Sequence, residues 1–194
     1  MNMKGFTLIE AMVAVTILTF AVAGPLFSAS RAIVSAGIAR DQLTASYLAQ
    51  EGIEYVRAMR DNEYLAAYRE GGASVSTTAW TNFLATIAPC RATACTLDPA
   101  RSMGVGSDFS LATFSGNAPL YLTNCTNGPS GLSCTPPNIY TQQNLSGSIQ
   151  TSFTRTVQAI DVSADDERIV STVSWSFHGI PYSVTVIDHL TPWQ

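Results

Sequence analysis

The chain has 194 residues, of which 46% are hydrophobic and 12% are charged, and its formal net charge is −4. A length in this range favours one compact domain. Lys4 is the only lysine, and the arginines are scattered along the chain. Because nucleic-acid binding normally needs clustered Lys and Arg to neutralise phosphates, we expect no nucleic-acid partner.

The most informative segment is an apolar run from Phe6 to Phe27. Glu10 is the only charged side chain between Lys4 and Arg31. As an α-helix, the run would be about 33 Å long at about 1.5 Å per residue, which matches a bilayer hydrocarbon core of about 30 Å. The sequence therefore predicts one transmembrane helix here.

Glu10 is an unfavourable residue for such a helix. An ionised carboxylate in hydrocarbon costs at least about 2.5 kcal/mol and usually has a partner or a function. From Phe6 to Phe27 the sequence offers no cation. Glu10 therefore needs a positive charge that its own surroundings do not supply.

Two adjacent segments carry a family resemblance: a short positive leader, Met1-Asn2-Met3-Lys4-Gly5, and the sequence Phe6-Thr7-Leu8-Ile9-Glu10 that opens the apolar run. Together they resemble the N-terminus of type IV pilins and of the pseudopilins of type II secretion systems. The resemblance implies that a membrane peptidase cleaves after Gly5 and that the new N-terminus, Phe6, is N-methylated. It also implies that Glu10 pairs with the N-terminal ammonium of a neighbouring subunit.

The same resemblance implies a function and a set of partners. The chain would be a non-enzymatic subunit of a type IV pilus or a type II secretion pseudopilus, and its length and cysteine loops favour a minor subunit. The expected partners are other pilin or pseudopilin subunits, a prepilin peptidase, an inner-membrane assembly platform and membrane lipid, and no cofactor is expected. The precursor would lie in the bacterial cytoplasmic membrane with its head outside the cytoplasm, and would then enter the filament.

Other interpretations of the apolar run remain open. A generic signal anchor would leave Glu10 unexplained. A conventional signal peptide could be cut after Ala21-Val22-Ala23, before Gly24, although the weak n-region and Glu10 argue against it. The alternative function is a membrane-anchored or secreted extracytoplasmic binding domain. An enzyme would need a convergent pocket that the sequence does not indicate.

Residues 28–70 are predicted to continue the helix, because they contain no proline and much Ala, Leu, Glu and Arg. Gly24-Pro25 is expected to interrupt the helix near the outer end of the span, through a kink or a melted turn. Farther along, surface ion pairs are expected among Glu54, Arg57, Arg60 and Asp61. One helix face is predicted to lie on a sheet, because its members recur at spacings of three and four: Ile33, Ala36, Ala39, Leu43, Tyr47, Gln50 and Glu54.

The second half of the chain is rich in β-branched and aromatic residues, which favour strands. The predicted strands are Phe109–Phe114, Pro119–Thr123, Ile149–Ile160, Arg168–Phe177 and Ile180–Leu190. His178-Gly179 is predicted to form a tight hairpin turn, and Asp161–Glu167 is predicted to form another turn. The last three strands would then make an antiparallel meander.

These predictions combine into an α+β fold class, with a long N-terminal helix packed on a C-terminal antiparallel sheet as in pilins. The first half of the helix would lie in the membrane, and the boundary with the head would fall at Gly71-Gly72. The expected regions are a leader (1–5), a transmembrane helix (6–27), its extracytoplasmic continuation (28–70) and a globular head (71–194) with disulfide loops.

Four cysteines, Cys90, Cys95, Cys125 and Cys134, lie in the predicted head. An even number in an extracytoplasmic region favours disulfides. Of the three possible connectivities, we favour Cys90 with Cys95 and Cys125 with Cys134, since each pair brackets a short loop. A metal site is disfavoured, because neither spacing is Cys-x-x-Cys and the histidines are distant in sequence.

An acidic stretch offers a weak calcium candidate through Asp161, Asp165, Asp166 and Glu167, whose oxygens suit a hard cation. Its spacing does not fit an EF-hand, and a solvated acidic turn is favoured instead. The two histidines, His178 and His189, lie near no nucleophile motif, so no catalytic triad is expected.

Overall fold

The computed structural model describes residues 7–71, 74–99, 111–123, 139–144 and 147–193. Its helices are α1 (Leu8–Glu70), α2 (Val75–Ile87) and α3 (Pro89–Ala92). Its strands are β1 (Cys95–Leu97), β2 (Leu111–Thr113), β3 (Pro119–Leu122), β4 (Tyr140–Thr141), β5 (Ile149–Ser163), β6 (Asp166–Phe177) and β7 (Ile180–Leu190). The predicted α+β fold class is confirmed, since the long helix packs on a C-terminal antiparallel sheet.

Helix α1 is continuous for 63 residues and contains Pro25 in its interior. A melted turn at Gly24-Pro25 is therefore ruled out, because proline removes one backbone donor but the helix continues on both sides of it, and a kink there stays a prediction. The helix ends just before Gly71, whose φ of 72° ends the right-handed helical conformation. The chain divides into two compact units, Met1–Asp41 and Gln42–Gln194.

The face of α1 that packs on the sheet differs from the predicted one. Ile33, Leu43 and Tyr47 of the predicted stripe are 73%, 58% and 64% exposed. The face that is buried is instead made of Ala45, Leu48, Ala49, Gly52, Ile53, Tyr55, Val56 and Met59. Several of these residues are small, so the sheet can approach closely where a hydrophobic stripe is hard to see in the sequence.

At Gly52 helix α1 lies close to the sheet. A Cβ built at this position would lie 2.4 Å from Ser171 Oγ and 3.4 Å from Val157 Cγ2. Because the contact with Ser171 Oγ is far below van der Waals distance, any residue larger than glycine requires the Ser171 side chain to move.

The described strands form one antiparallel sheet in which β5 is central. On one side β5 pairs with both β1 and β3, which pair in turn with β2 and β4, and on the other side it pairs with β6. Strand β7 pairs with β6 over its full length, from Ile180–Phe177 to Leu190–Glu167. The predicted meander of the last three strands is therefore present.

The turns of the meander agree with the prediction in one case and differ in the other. His178 and Gly179 form the β6–β7 turn, with φ of 51° and 80°. The predicted Asp161–Glu167 turn is wrong in extent, because β5 runs to Ser163 and β6 starts at Asp166. Glu167 can occupy a buried strand position because Arg91 neutralises it there.

The sequence-based prediction contains no counterpart of α2, α3, β1 or β4. Helix α2 is rich in Ser and Thr, which are weak helix formers. Its buried face stabilises it instead, through Ala79, Trp80, Phe83 and Ile87. Trp80 also donates from Nε1 to the carbonyl of Ala164 at 2.8 Å, which joins α2 to the β5–β6 turn.

Candidate functional site

The first unit of the chain is an exposed apolar helix. Leu8, Ile17 and Phe20 are 79%, 63% and 79% exposed, and the large apolar side chains around them are similarly uncovered. Among the described residues, α1 is the one helix that is long and apolar enough to cross a membrane, by length and composition. A surface of this kind is unfavourable in water and suits lipid or the apolar faces of other helices.

Glu10 lies in the first turn of α1 and is exposed among these apolar side chains. Within the described part of the chain it makes no ion pair. The next basic residue along the helix is Arg31, which is about 31 Å away at about 1.5 Å per residue. The carboxylate therefore has no counter-charge within the first unit as described.

Three hydroxyl side chains in and just beyond the apolar segment form hydrogen bonds within the helix. Thr16 and Thr19 donate their hydroxyls to the carbonyls of Val13 and Thr16, both at 2.8 Å, and Ser30 donates to Leu26 at 3.0 Å. Such internal bonds remove the need for outside partners. Glu10 thus differs from its polar neighbours in requiring one.

Arg31 marks the end of the uncharged stretch that follows Glu10. Its guanidinium carbon lies 5.1 Å from the centre of the Phe27 ring, within the range of a cation–π contact. An aromatic residue beside a cation is the arrangement expected where a helix leaves the hydrocarbon for the membrane surface. The predicted cleavage residues, Gly5 and Phe6, lie outside the described residues.

The sequence at the start of this exposed apolar helix matches a known motif. Residues 1–24 carry the prokaryotic N-terminal methylation motif. This motif is the signature of type IV pilins and pseudopilins. It covers the leader, the predicted cleavage point and most of the apolar segment, and it supports a pilin- or pseudopilin-type subunit. Comparison with curated proteins and with solved structures found no match.

The motif also bears on the membrane and on the kind of function. The apolar helix and the motif together fit a membrane-anchored precursor that later joins a filament. The motif implies assembly with other pilin subunits and processing by a prepilin peptidase. Proteins of the pilin type are structural, not enzymatic.

Two of the four cysteines can be placed in the structure. Cys90 and Cys95 form a disulfide, with 1% and 0% of their surfaces exposed. The bond ties α3 to the start of β1. Cys125 and Cys134 lie outside the described residues, so their pairing stays a prediction.

Two carboxylates of the predicted calcium candidate, Asp161 and Asp166, lie close to basic side chains. Arg91 lies 3.9 Å from Asp161, and Asp166 lies 2.9 Å from Nδ1 of His189. Asp165 is exposed in the turn. In the described ranges, no group of three or more His, Cys, Asp or Glu side chains is close enough to hold a metal ion.

The ion pairs predicted on the surface of α1 are present, and one of their arginines also contacts the sheet. Arg57 contacts Glu54 at 2.6 Å, but it also binds Asp188 of β7 at 2.9 Å. Desolvation lowers the pKa of Arg57, yet its hydrogen bonds and Coulombic attraction to these carboxylates outweigh that effect and raise the pKa above its ordinary value. Arg60 pairs with the adjacent Asp61.

Two arginine–glutamate pairs, each with one buried member, were not predicted. Arg155, fully buried, donates to the carboxylate of Glu51 and to the carbonyl of Leu48. Arg91 binds both oxygens of Glu167, whose side chain is 1% exposed. The position of Arg155 in the strand was the available signal. Side chains of β5 alternate between the two sheet faces, and Arg155 lies on the inward-facing side with Phe153 and Val157.

A cleft of about 480 Å³ lies beside the Arg155–Glu51 pair. Its lining consists of Thr44, Tyr47, Leu48, Glu51, Ile139 and Tyr140. Among the lining residues that the structure describes, the one carboxylate is Glu51, which is already engaged by Arg155, and these residues include no cysteine, serine or histidine. This set does not provide a nucleophile with its base.

Proposed function

We propose that the protein is a structural subunit, in a minor position, of a type IV pilus or a type II secretion pseudopilus. The observation that carries the proposal is Glu10, an acid without a counter-charge in the described helix, located inside an N-terminal methylation motif. An exposed apolar helix of this length supports it further.

The chemistry of assembly follows from the charges. Cleavage after Gly5 frees an amino group at Phe6, and a methylated amine keeps its positive charge. In a bundle of parallel helices, that ammonium pairs with Glu10 of a neighbouring subunit. Each charge alone is unfavourable in a low-dielectric bundle, and a subunit in the wrong register leaves both unpaired. The pair therefore selects register.

The partners and the location follow from the same proposal. The precursor is a single-pass protein of the bacterial cytoplasmic membrane, processed by the prepilin peptidase and extracted from lipid by the inner-membrane assembly platform. The head lies outside the cytoplasm, an arrangement supported by the buried Cys90–Cys95 disulfide, since disulfides persist in oxidising compartments. A second disulfide, Cys125–Cys134, belongs to the same proposal.

The test is replacement of Glu10 in the native cell. Glu10→Ala is expected to leave the precursor in the membrane and cleaved after Gly5, but to abolish its entry into filaments. Glu10→Gln, which keeps the size and removes only the charge, is expected to fail equally, whereas Glu10→Asp retains partial incorporation. Immunoblots of the membrane fraction and of sheared or overproduced filaments give both readouts.

The matched control is Glu54→Ala, because Glu54 is another exposed glutamate of α1 but lies beyond the apolar segment and pairs with Arg57. It should enter filaments normally. Normal incorporation of Glu10→Ala would contradict the charge-pairing proposal and would favour the alternative, a membrane-anchored extracytoplasmic binding domain.

A further inference from the structure

The cleft beside the Arg155–Glu51 pair is bounded by α1 on one side and by the start of β4 on the other. Its helix wall consists of residues three and four positions apart, which share one face of α1: Thr44, Tyr47, Leu48 and Glu51. Ile139 and Tyr140 form the opposite wall. Its volume of about 480 Å³ falls within the range of about 300–1,000 Å³ that is typical of small-molecule sites. The cleft is therefore large enough for a small ligand, and the proposed assembly through Glu10 does not use it.

Two tyrosine rings give the cleft apolar surfaces. Tyr47 is 64% exposed, so its ring is open to a ligand. Tyr140 is half-buried, and its ring packs edge-on against Phe153 with the two ring centroids 6.2 Å apart. Leu48, which is 5% exposed, adds an aliphatic group to the same lining. The walls therefore offer one open ring and one fixed ring to the apolar face of a ligand.

Glu51 brings a fixed hydrogen-bond acceptor to the cleft. Its side chain is 40% exposed, and Arg155 holds one of its carboxylate oxygens, Oε2. Arg155 is itself fully buried and also donates to the carbonyls of Leu48 and Leu97, at 3.3 and 3.4 Å. Within the described part of the chain, the other oxygen of Glu51, Oε1, accepts no hydrogen bond. A carboxylate that is already held in place can accept from a ligand at a low cost in conformational entropy.

The charges of this pair restrict the class of ligand. A cation gains little in this cleft, because Arg155 already neutralises Glu51. An anion would meet the carboxylate first, since Arg155 is buried and Glu51 is the one charged side chain among the described lining residues. A wholly apolar ligand would remove water from Oε1 without replacing its hydrogen bond. The ligand that fits is neutral, with hydrogen-bond donors on one side and an apolar face on another.

We propose that this cleft binds a neutral saccharide. A sugar ring presents C–H groups on its faces, which pack on aromatic rings, and hydroxyls at its rim, each of which can rotate to donate to a carboxylate. A peptide backbone carries one acceptor carbonyl for every N–H donor, and a carbonyl beside Oε1 would be repelled. Because the described lining provides no nucleophile with its base, the saccharide is bound and not cleaved.

Saturation-transfer NMR on the full chain tests the proposal. The protein is purified in a detergent without a sugar headgroup, because such a headgroup would compete for the cleft. The probes are glucose, galactose, mannose, N-acetylglucosamine, maltose and cellobiose. Saturation transfer to at least one of these neutral sugars is expected, and no transfer to any of them would overturn the proposal.

Charged counterparts of the sugar that binds test the argument from charge. The corresponding uronic acid and amino sugar keep the ring but add a negative or a positive charge. Each is expected to bind at least about tenfold more weakly than the neutral sugar, a difference that titration of the same NMR signal measures. Equal affinity for a charged counterpart would overturn the selection of a neutral ligand.

Tyr47→Ala locates the binding in the cleft. The variant removes an exposed ring, so the fold is expected to persist, and the affinity for the sugar is expected to fall about tenfold. Tyr47→Phe keeps the ring and is expected to keep binding. Tyr68→Ala is the matched control, because Tyr68 is another tyrosine of α1, 76% exposed, that is not among the described lining residues. Unchanged affinity in Tyr47→Ala, or an equal loss in both alanine variants, would overturn the proposal.

A neutral peptide tests the other class of ligand. An N-acetylated and C-amidated peptide of serine, glycine and threonine carries hydroxyls and no charge, and it is expected to show no saturation transfer. Transfer to this peptide that Tyr47→Ala removes, without transfer to any sugar, would overturn the proposal in favour of peptide binding. Glu10→Ala is expected to bind the sugar normally, so a failed filament test leaves this one unaffected.

Discussion

Glycine at position 52 sets the distance between the helix and the sheet. The only atoms that a Cβ would meet below 3.4 Å are the Oγ and Cβ of Ser171, and that Oγ has no hydrogen-bond partner among the described groups. The serine hydroxyl is therefore buried without compensation, directly beneath a helix position that has no side chain. Sequence analysis could locate Gly52 in the helix but not this contact, because the contact depends on the register between two distant segments.

Gly52→Ala is expected to lower the free energy of unfolding by about 1–3 kcal/mol through overpacking, in spite of the better helix propensity of alanine. Thermal unfolding of the full chain in detergent, followed by near-ultraviolet circular dichroism, measures the change. Gly24→Ala is the control, because a Cβ there meets nothing within 4 Å. Ser171→Ala is expected to relieve much of the Gly52→Ala effect, and strict additivity of the two changes would contradict the contact.

Glu167 is the least exposed carboxylate among the described residues, and Arg91 is its partner. Hydrogen bonding to Glu167 raises the pKa of Arg91 more than desolvation lowers it, so the arginine stays charged at any pH the protein meets. Glu167 was predicted to lie in a solvated turn. Sequence alone could not place it inside, since burial of an acid depends on a cation that lies 76 residues away in the chain.

Arg91→Ala is expected to destabilise the head by about 3 kcal/mol, because it leaves a buried carboxylate without its bidentate partner. Asp161→Asn is the comparison, since Asp161 is 61% exposed and 3.9 Å from the same guanidinium, and exposed pairs contribute about 0–1 kcal/mol. Chemical denaturation of the full chain in detergent measures both. Similar losses of unfolding free energy for the two variants would contradict the claim that the buried Glu167 is the reason why Arg91 stabilises the head.

At the scale of elements, the Cys90–Cys95 disulfide links α3 to the start of β1. Its two cysteines are separated by 5 residues and are almost completely buried. Arg91 lies inside the closed loop, so the bond and the Arg91–Glu167 pair are expected to support each other.

The double variant Cys90→Ala with Cys95→Ala is expected to reduce the stability of the head by about 2 kcal/mol, the loop-entropy value for so short a ring. Combining it with Arg91→Ala is expected to give a smaller loss than the sum of the two, because Arg91 is no longer held in place once the ring is open. A double-mutant cycle by denaturation measures this coupling. Simple addition would mean that the ring does not position Arg91.

Elements with strong alternation were predicted well, and elements stabilised by contacts were not. Strand β7 was predicted with its observed limits, because its residues alternate and Gly179 marks the turn before it. Helix α2 was missed, although its buried Ala79, Trp80, Phe83 and Ile87 recur at helical spacing. The packed face of α1 was misassigned because small residues, Ala45, Ala49 and Gly52, alternate there with the large apolar ones and weaken the hydrophobic stripe in the sequence.

For the molecule as a whole, the sequence provided both the fold class and the candidate site at Glu10. Both rest on local signals: a long apolar run, one acid within it and alternating strands. The arrangement of the head depends on long-range pairs such as Arg155 with Glu51, which pattern analysis did not find. The same holds for function. The N-terminal motif indicates how a pilin-type subunit assembles, but the contacts of the head can only be found by measurement.

The most direct test of the whole account is the intact mass and N-terminal sequence of the protein isolated from its native cell. The account predicts a chain that begins at Phe6 and carries one methyl group on its amino nitrogen. A chain that still begins at Met1, or one that begins at Gly24 after signal-peptide cleavage, would contradict it.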